Sequence, residues 1–274
     1  MKILTTGGTG FLGKALINQF LAAKHSVANI GRRSFGDSRV IDIKANEQYE
    51  DFLSDFQPDY IIHLAAAFDN SNIDEIVDVN IKLPLKLLEL ASNCGSCFVY
   101  ISTYWQLGCK NKVHAPIDLY SASKKSMASF MELYSGYHNV PCKEVMIYGT
   151  YGSTDNRGKL LDILINAAIS GESVELSPGE QNLNLVNVSS LSGKMVEQLL
   201  IDNGCMHEKL AFISERNYSP IQLVELIRKN SHINVDFGAK EYRKVEVMEP
   251  IFDPDFKFFV MNDDIPEYIK QALN

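Results

Sequence analysis

The sequence predicts an α/β protein: a doubly wound parallel sheet of the dinucleotide-binding (Rossmann) kind, with a smaller α+β substrate region toward the carboxyl terminus. Three observations predict it. Met1-Lys2-Ile3-Leu4 runs as a short apolar strand into Thr6-Gly7-Gly8-Thr9-Gly10-Phe11-Leu12-Gly13, a glycine turn opening a helix. Apolar strands then alternate with helical patterns five times, up to Ser102-Thr103, which is the signature of a right-handed parallel sheet. Finally, Tyr120 and Lys124 stand four apart near the start of a long helical pattern, one turn from each other on a single face.

The glycine turn has a physical purpose. Gly7 permits backbone angles closed to other residues, Gly10 lets the main chain approach a ligand, and Gly13 allows the helix to pack closely. The free N–H groups and positive dipole end of the helix, roughly Phe11 to Ala23, can then hold a pyrophosphate. The second strand, Ser26 to Ile30, ends at Gly31-Arg32-Arg33-Ser34. In this fold an acid at that place holds a ribose 2′-hydroxyl, whereas arginine accepts a 2′-phosphate. Arg32 and Arg33 offer such a phosphate clamp, so NADP(H) is favoured over NAD(H). Val40 to Ile43 is the third strand, with Asp42 placed toward the adenine, and a helix follows near Glu47–Phe56.

Tyr60 to Ala67 is a continuous apolar strand of the kind buried on both faces, and its small residues let a cofactor lie against the backbone. His63 within it reads as a hydrogen-bonded core histidine. Ile73, Ile76, Val77, Asn80, Leu87 and Leu88 share a helical stripe over about Ile73–Ser92. Pro84 cannot donate to the carbonyl of Asn80, so this turn carries a free acceptor and a bend. Asn80 itself holds a water, orders the site, or is a plain buried amide. Cys97 to Ile101 is the fifth strand, and its end places the Ser102 and Thr103 hydroxyls in the cleft where such sheets bind ligands. The helix from Pro116 to about His138 then carries Tyr120 and Lys124. A lysine cation favours the phenolate and suits proton exchange with a carbinol or carbonyl oxygen, which a Thr103 hydroxyl can also bind.

Composition excludes several classes. Charged residues are 22% and hydrophobic residues 46%, ordinary for a globular chain of 274 residues. Lys+Arg 26 against Asp+Glu 34 gives a net charge of −8, which disfavours nucleic acid as a partner. No apolar run approaches bilayer length, and the five cysteines form no regular framework, so a reduced cytoplasmic chain is expected. Cys94-Gly95-Ser96-Cys97 reads as structural, and no residue set suggests a metal site.

From Met1 to about Leu200 the chain resembles the extended short-chain dehydrogenase/reductases, the NAD(P)-dependent epimerase/dehydratase group that acts on nucleotide sugars. The motifs that carry this are Gly7-Gly8-Thr9-Gly10-Phe11-Leu12-Gly13, Asp42-Ile43, His63-Leu64-Ala65-Ala66, Asn80, Ser102-Thr103, Tyr120 with Lys124, and Ile147-Tyr148-Gly149. The resemblance implies that Tyr120 is the acid/base and that Lys124 binds nicotinamide ribose while lowering the tyrosine pKa. It makes Thr103 the third catalytic member. Gly7, Thr9, Gly10, Phe11, Leu12, Gly13, Arg32, Arg33, Asp42, Ile43, Leu64, Ala65, Ala66, Asn80, Tyr120, Lys124 and Tyr148 then line the NADP(H) groove. It further implies a homodimer through a four-helix bundle built from about Ile73–Ser92 and Tyr120–His138.

The departures narrow the reaction. The family's dehydratases place an Asp-Glu pair directly after the threonine; Tyr104-Trp105 follow here, with no carboxylate for that elimination. Its bifunctional epimerase-reductases carry a cysteine where Trp105 stands, which disfavours epimerisation at neighbouring carbons. Met146 replaces a usual asparagine. Asn184 to Ser190 resembles the segment that returns the chain to the main sheet, with Leu183 for its arginine and Ser189 and Ser190 for its aspartates. Thr103, Tyr104, Arg157 and Arg243 are the candidate substrate contacts; either arginine holds the substrate diphosphate or lies on the surface. Residues 1–150 form the cofactor domain, to which the chain returns at about 183–213, and residues 151–182 and 214–274 the substrate region. The chain looks most like compact 4-ketoreductases of the CDP-paratose synthase type. NADPH-dependent reduction of a nucleotide-linked 4-keto-6-deoxy sugar is thus the leading expectation, a 4-epimerase the alternative, and a non-catalytic NADP sensor the third.

Overall fold

The computed structural model describes every residue except 46–49, 110–111, 114, 154, 156 and 202–203, and leaves out the side chains of 50, 51, 54, 112 and 113. The start expected near Glu47 for the second helix lies outside the described residues. Among the described residues the elements run β1 (Lys2–Thr6), α1 (Phe11–Ala22), β2 (Ser26–Gly31), β3 (Val40–Lys44), α2 (Glu50–Phe56), β4 (Tyr60–His63), α3 (Ile73–Val77), a π-type turn (Asp78–Lys82), α4 (Leu83–Cys94) and β5 (Cys97–Thr103). There follow a short 3-10 turn (Tyr104–Leu107), a small hairpin β6 (Gly108–Cys109) and β7 (Lys112–Val113), α5 (Leu119–Tyr137), β8 (Cys142–Ile147), β9 (Gly149–Tyr151), α6 (Leu160–Ser170) and β10 (Ser173–Leu176). The chain ends with β11 (Leu183–Asn187), α7 (Val188–Leu199), β12 (His207–Ser214), β13 (Asn217–Tyr218), α8 (Pro220–Arg228), β14 (Asn234–Phe237), β15 (Lys257–Met261) and α9 (Ile265–Leu273).

Eight strands form one sheet in the order β15-β12-β8-β5-β4-β1-β2-β3, and every pair in it is parallel. Helices α1 and α7 cover one face with Leu16, Ile17, Phe20, Leu191 and Met195; α4 and α5 cover the other with Leu87, Leu88, Met127 and Met131. The strand order reverses between β1 and β4, so a cleft opens there at the carboxyl ends of the strands. A second core, around Tyr151, Leu164, Tyr218, Leu223 and Ile269, joins α6, α8 and α9.

Three expectations are corrected. The fourth strand stops at His63, not Ala67, because its partner β1 turns away at Gly7; Leu64 N still donates to Thr6 O at 3.2 Å, and the ladder ends there. Asn184 to Ser190 does not return to the main sheet. Its β11 pairs with β9 and β13, and the return is made by α7 and β12. β15 joins the main sheet beside β12, so residues 214–274 are not wholly a substrate region. The helix expected over about Ile73–Ser92 runs without a gap through α3, the π-type turn and α4, the π-type turn standing where the bend was expected. The carbonyl that Pro84 leaves open at Asn80 accepts from the Tyr100 hydroxyl at 3.3 Å.

β8 carries no apolar alternation because it buries two neighbouring charges. Lys143 pairs with Glu208 at 3.1 Å and donates to Ile201 O at 2.6 Å, while Glu144 accepts from Gln106 Nε2 at 2.8 Å. α5 starts on a capping box: the Asp118 carboxylate accepts from Ser121 N at 2.8 Å and Ser121 Oγ lies 3.1 Å from Asp118 N. That cap sets the phase of the helix one residue before Tyr120.

Candidate active site

Most of the predicted site residues lie at or just beyond the carboxyl ends of six main-sheet strands, β1, β2, β3, β4, β5 and β8, or on one face of α5; Asn80 comes from the π-type turn, and Arg157 and Arg243 from loops of the remaining chain. Gly7 adopts φ +71°, and its bare α-carbon lies against the Leu64-Ala65 backbone, where a Cβ would come within 2.6 Å of Ala65 N. Gly10 is exposed and less confined; a Cβ there would meet only Gly7 O, at a tight 3.1 Å. Gly13 packs on the turn itself, a Cβ falling 2.3 Å from Gly7 O. No side chain caps α1, so its first N–H groups are left for a ligand, between half-buried Thr9, Phe11 and Leu12 on one side and Leu64-Ala65-Ala66 on the other. These features fit the diphosphate of a dinucleotide.

At the end of β2 both Arg32 and Arg33 are exposed. Arg32 makes an exposed ion pair with Glu75 at 3.3 Å, too weak to withhold it from an anion. Asp42, expected toward the adenine, is exposed at the edge of the sheet. Its carboxylate accepts from Phe35 N at 2.9 Å and from the Ser34 hydroxyl, anchoring the loop after β2. Burial opposes its charge, yet these hydrogen bonds prevail and hold its pKa below the usual carboxylate range. Ile43 turns into the core beneath.

Asn80 is enclosed, and its amide is fully occupied: Oδ1 accepts from Ala67 N at 2.8 Å, and Nδ2 donates to Ala67 O at 2.9 Å and to Ser123 Oγ at 3.0 Å. It therefore ties the loop after β4 to α5 and orders the groove wall. His63 is the core histidine expected, with Nδ1 2.9 Å from Thr6 Oγ1 and its ring stacked on Tyr100.

Tyr120 and Lys124 are both buried on α5. The Tyr120 ring lies 4.8 Å from Phe68 and 6.5 Å from the edge-on Trp105, and its backbone N–H donates to Asn70 Oδ1 at 2.9 Å. The Thr103 hydroxyl stands beside its phenol and favours ionisation of it. Lys124 Nζ donates to Ile101 O at 2.9 Å and lies 4.5 Å from the Tyr100 ring centre. Within the chain, burial dominates both groups. Burial first, then the Asp118 carboxylate, raises the Tyr120 pKa well above that of a free phenol, and Thr103 offsets this only in part. Burial draws Lys124 down to about 7. The phenol is held protonated, and the lysine titrates near neutrality.

This carries a stability consequence. The folded pKa of Lys124 lies below its unfolded value, so the unfolded chain binds the proton more tightly. Stability contributed by the neutral amine is lost as pH falls from about 10.5 to about 7 and stays lost below that. Lys124→Met is expected to melt roughly 3–6 °C higher than the parent at pH 6, with the gap closing toward pH 10. Thermal scans across pH check this; equal midpoints at pH 6 would contradict it.

Tyr148, expected at the cofactor, is buried in an aromatic stack. It stacks between Tyr104 (4.9 Å) and Phe252 (5.3 Å) and donates to Ile251 O at 2.8 Å. The two arginines read alike in the sequence are separated. Arg243 lies 5.5 Å from the Trp105 ring, which meets Tyr120 edge-on, whereas Arg157 lies 4.1 Å from the Phe11 ring, beside the glycine turn. Phe68, Asn70, Ser123 and Asn29 escaped sequence reading. Asn29, whose Oδ1 accepts from Gly8 N at 2.9 Å, gave the only signal: an amide in an apolar strand.

A doubly wound sheet with a glycine turn at its switch point and a Tyr-x-x-x-Lys pair beside a strand-end threonine defines a short-chain dehydrogenase/reductase. Within that class the chain belongs to the NAD dependent epimerase/dehydratase family, whose sequence profile matches residues 3–191. It is 31% identical to the CDP-abequose synthase of Yersinia pseudotuberculosis, over 100% of this chain and 99% of that one. With the CDP-abequose synthase of Salmonella muenchen it shares 22% identity over 90% of this chain and 87% of that one. A UDP-glucuronic acid 4-epimerase from Bacillus cereus, solved with UDP-glucuronic acid and NAD, has the same fold, with a TM-score of 0.84 at 18% identity, covering 100% of this chain and 98% of that one.

Proposed function

We propose that the protein modifies a nucleotide-linked deoxysugar, reducing a 4-keto-6-deoxy sugar at C4 with NADPH. The observation that carries this reading is the protonated Tyr120 phenol beside Thr103, with Tyr104 and Trp105, and no carboxylate, following the threonine. The nicotinamide group supplies the hydride when bound. Thr103 and Tyr120 donate hydrogen bonds to the carbonyl oxygen, and Tyr120 passes its proton to that oxygen as charge develops. Lys124, anchored on Ile101 O, presents its ammonium to the ribose side of the groove. Phe68 and Trp105 flank the reacting edge and exclude water. Arg243, beside Trp105, is placed to meet the substrate diphosphate. The overall likeness to two CDP-abequose synthases supports a CDP-linked sugar.

Arg32 and Arg33 support NADPH as the reductant. Replacing both with alanine is expected to weaken NADPH roughly 10–100-fold while NADH binding changes little, since two charge-assisted bonds to a 2′-phosphate are lost. Equal loss for both dinucleotides contradicts the preference. The reading includes pairing of two copies through α3, α4 and α5, which leave Ile73, Val77, Leu133 and Tyr137 exposed.

The second reading, a 4-epimerase that regenerates its cofactor each turnover, is favoured by the 4-epimerases among the solved structures of this fold. The two separate in one assay. Stoichiometric loss of NADPH absorbance with a CDP-4-keto-6-deoxy sugar is the reductase result; sugar conversion at constant absorbance sinks it.

A further inference from the structure

Arg157 sits between β9 and α6, in the smaller layer, yet its guanidinium stacks on Phe11, the first residue of α1. Gly152 makes this approach possible: a Cβ there would lie 2.7 Å from Val188 Cγ1 and 3.3 Å from Phe11 Cζ. The guanidinium is fixed in plane. Nε donates to Asp155 Oδ1 at 2.6 Å, and Nη2 donates to Asp155 Oδ2; Nη2 also donates to Thr150 O and to Thr150 Oγ1, both at 3.1 Å. The Asp155 side chain is fully buried, and that of Arg157 is 35% exposed. Arginine carries five N–H donors, of which Nε and Nη2 hold three. The two on Nη1 have no acceptor among the described residues. A pinned guanidinium with one free edge therefore borders the helix end whose N–H groups no side chain caps.

We propose that Arg157 closes the cofactor groove from the smaller layer, its Nη1 donating to the diphosphate of a dinucleotide seated on the first turn of α1. This reassigns it from the substrate diphosphate, and it rests on the dinucleotide reading of the glycine turn. Asp155 and Thr150 orient the fork before the ligand arrives, so little side-chain freedom is lost on binding. The nearby charges are Asp155, Lys159 and Asp162, and Asp155 is the one that bonds to the guanidinium. Cofactor binding would then link the two layers, through a residue far from Gly7 in the chain.

The test is equilibrium binding to the full chain, by NADPH and NADH fluorescence and by calorimetry with ADP-ribose, 2′-AMP and CDP. Arg157→Met is expected to raise the dissociation constants of NADPH, NADH and ADP-ribose about tenfold or more, the loss of one charge-assisted bond, and to change that of 2′-AMP less than twofold. Arg157→Lys, which keeps the charge and length but not the fork, is expected to fall between, and it carries the test if the methionine variant fails to fold. Unchanged dinucleotide affinity in either folded variant overturns the proposal. So does weakened CDP binding with dinucleotide binding intact, because the arginine would then belong to the substrate. Wild-type protein that binds none of the three diphosphate-bearing cofactor probes overturns the cofactor reading beneath the proposal.

Discussion

Tyr120→Phe is expected to lower kcat about 10²–10⁴-fold while NADPH affinity changes less than about threefold. The geometry makes this substitution clean. The ring is held by Phe68, Trp105 and the backbone bond to Asn70, all of which phenylalanine preserves. Only the hydroxyl beside Thr103 is removed, so the proton donor disappears and the groove remains. The pH profile of the parent enzyme adds a second reading. The phenol titrates above neutrality, and burial lowers Lys124 to about 7, so the alkaline decline in rate is expected from loss of the ammonium before loss of the phenol proton. Single-turnover measurements with NADPH and a 4-keto nucleotide sugar decide the matter. Turnover of the Phe variant within a few fold of wild type would remove Tyr120 from the mechanism.

Gly7→Ala and Gly10→Ala are expected to fail in different ways. At Gly7 the added methyl meets the Ala65 and Leu64 backbone within 2.9 Å, at a positive φ that alanine also resists. Neither β1 nor the β4 end can yield without breaking the sheet at its switch point. A loss of about 3 kcal/mol is expected, lowering the melting midpoint roughly 6–12 °C. At Gly10 the methyl meets only the Gly7 carbonyl, at 3.1 Å, a contact that a backbone shift of a few tenths of an ångström relieves, so the midpoint is expected to fall much less than at Gly7, by at most about 4 °C. Dinucleotide affinity should nonetheless fall about tenfold or more, because the methyl occupies the place the ligand approaches. Paired thermal scans and NADPH titrations check both. Matching profiles for the two variants would mean that Gly10 is a structural glycine like Gly7.

Much of the fold was legible because its causes are local. β1, α1, β2, β3 and β5 follow from apolar runs and glycine or serine boundaries, and α5 from helical spacing behind Asp118. β8 was hidden because Lys143 and Glu144 are buried with partners from β12 and from the turn after β5. β15 was hidden because a short edge strand differs little from a loop until it is seen beside β12. The bend at Asn80 shows both sides. Pro84 alone requires an unfilled carbonyl one turn earlier, whereas Tyr100, twenty residues on, could be identified as its donor only in the folded sheet.

The amino-acid sequence by itself determined the glycine turn, the arginines at the end of β2, the threonine at the end of β5, and the placing of Tyr120 one turn before Lys124. Each depends on backbone sterics or on the periodicity of a single element. Tertiary structure alone decided where charge resides. It holds the Tyr120 proton, draws Lys124 toward neutrality, places Tyr148 in an aromatic stack, and sends Arg157 to Phe11 while Arg243 goes to Trp105. Desolvation and Coulomb energy depend on distances between residues far apart in the chain, and those distances exist only once the layers have packed.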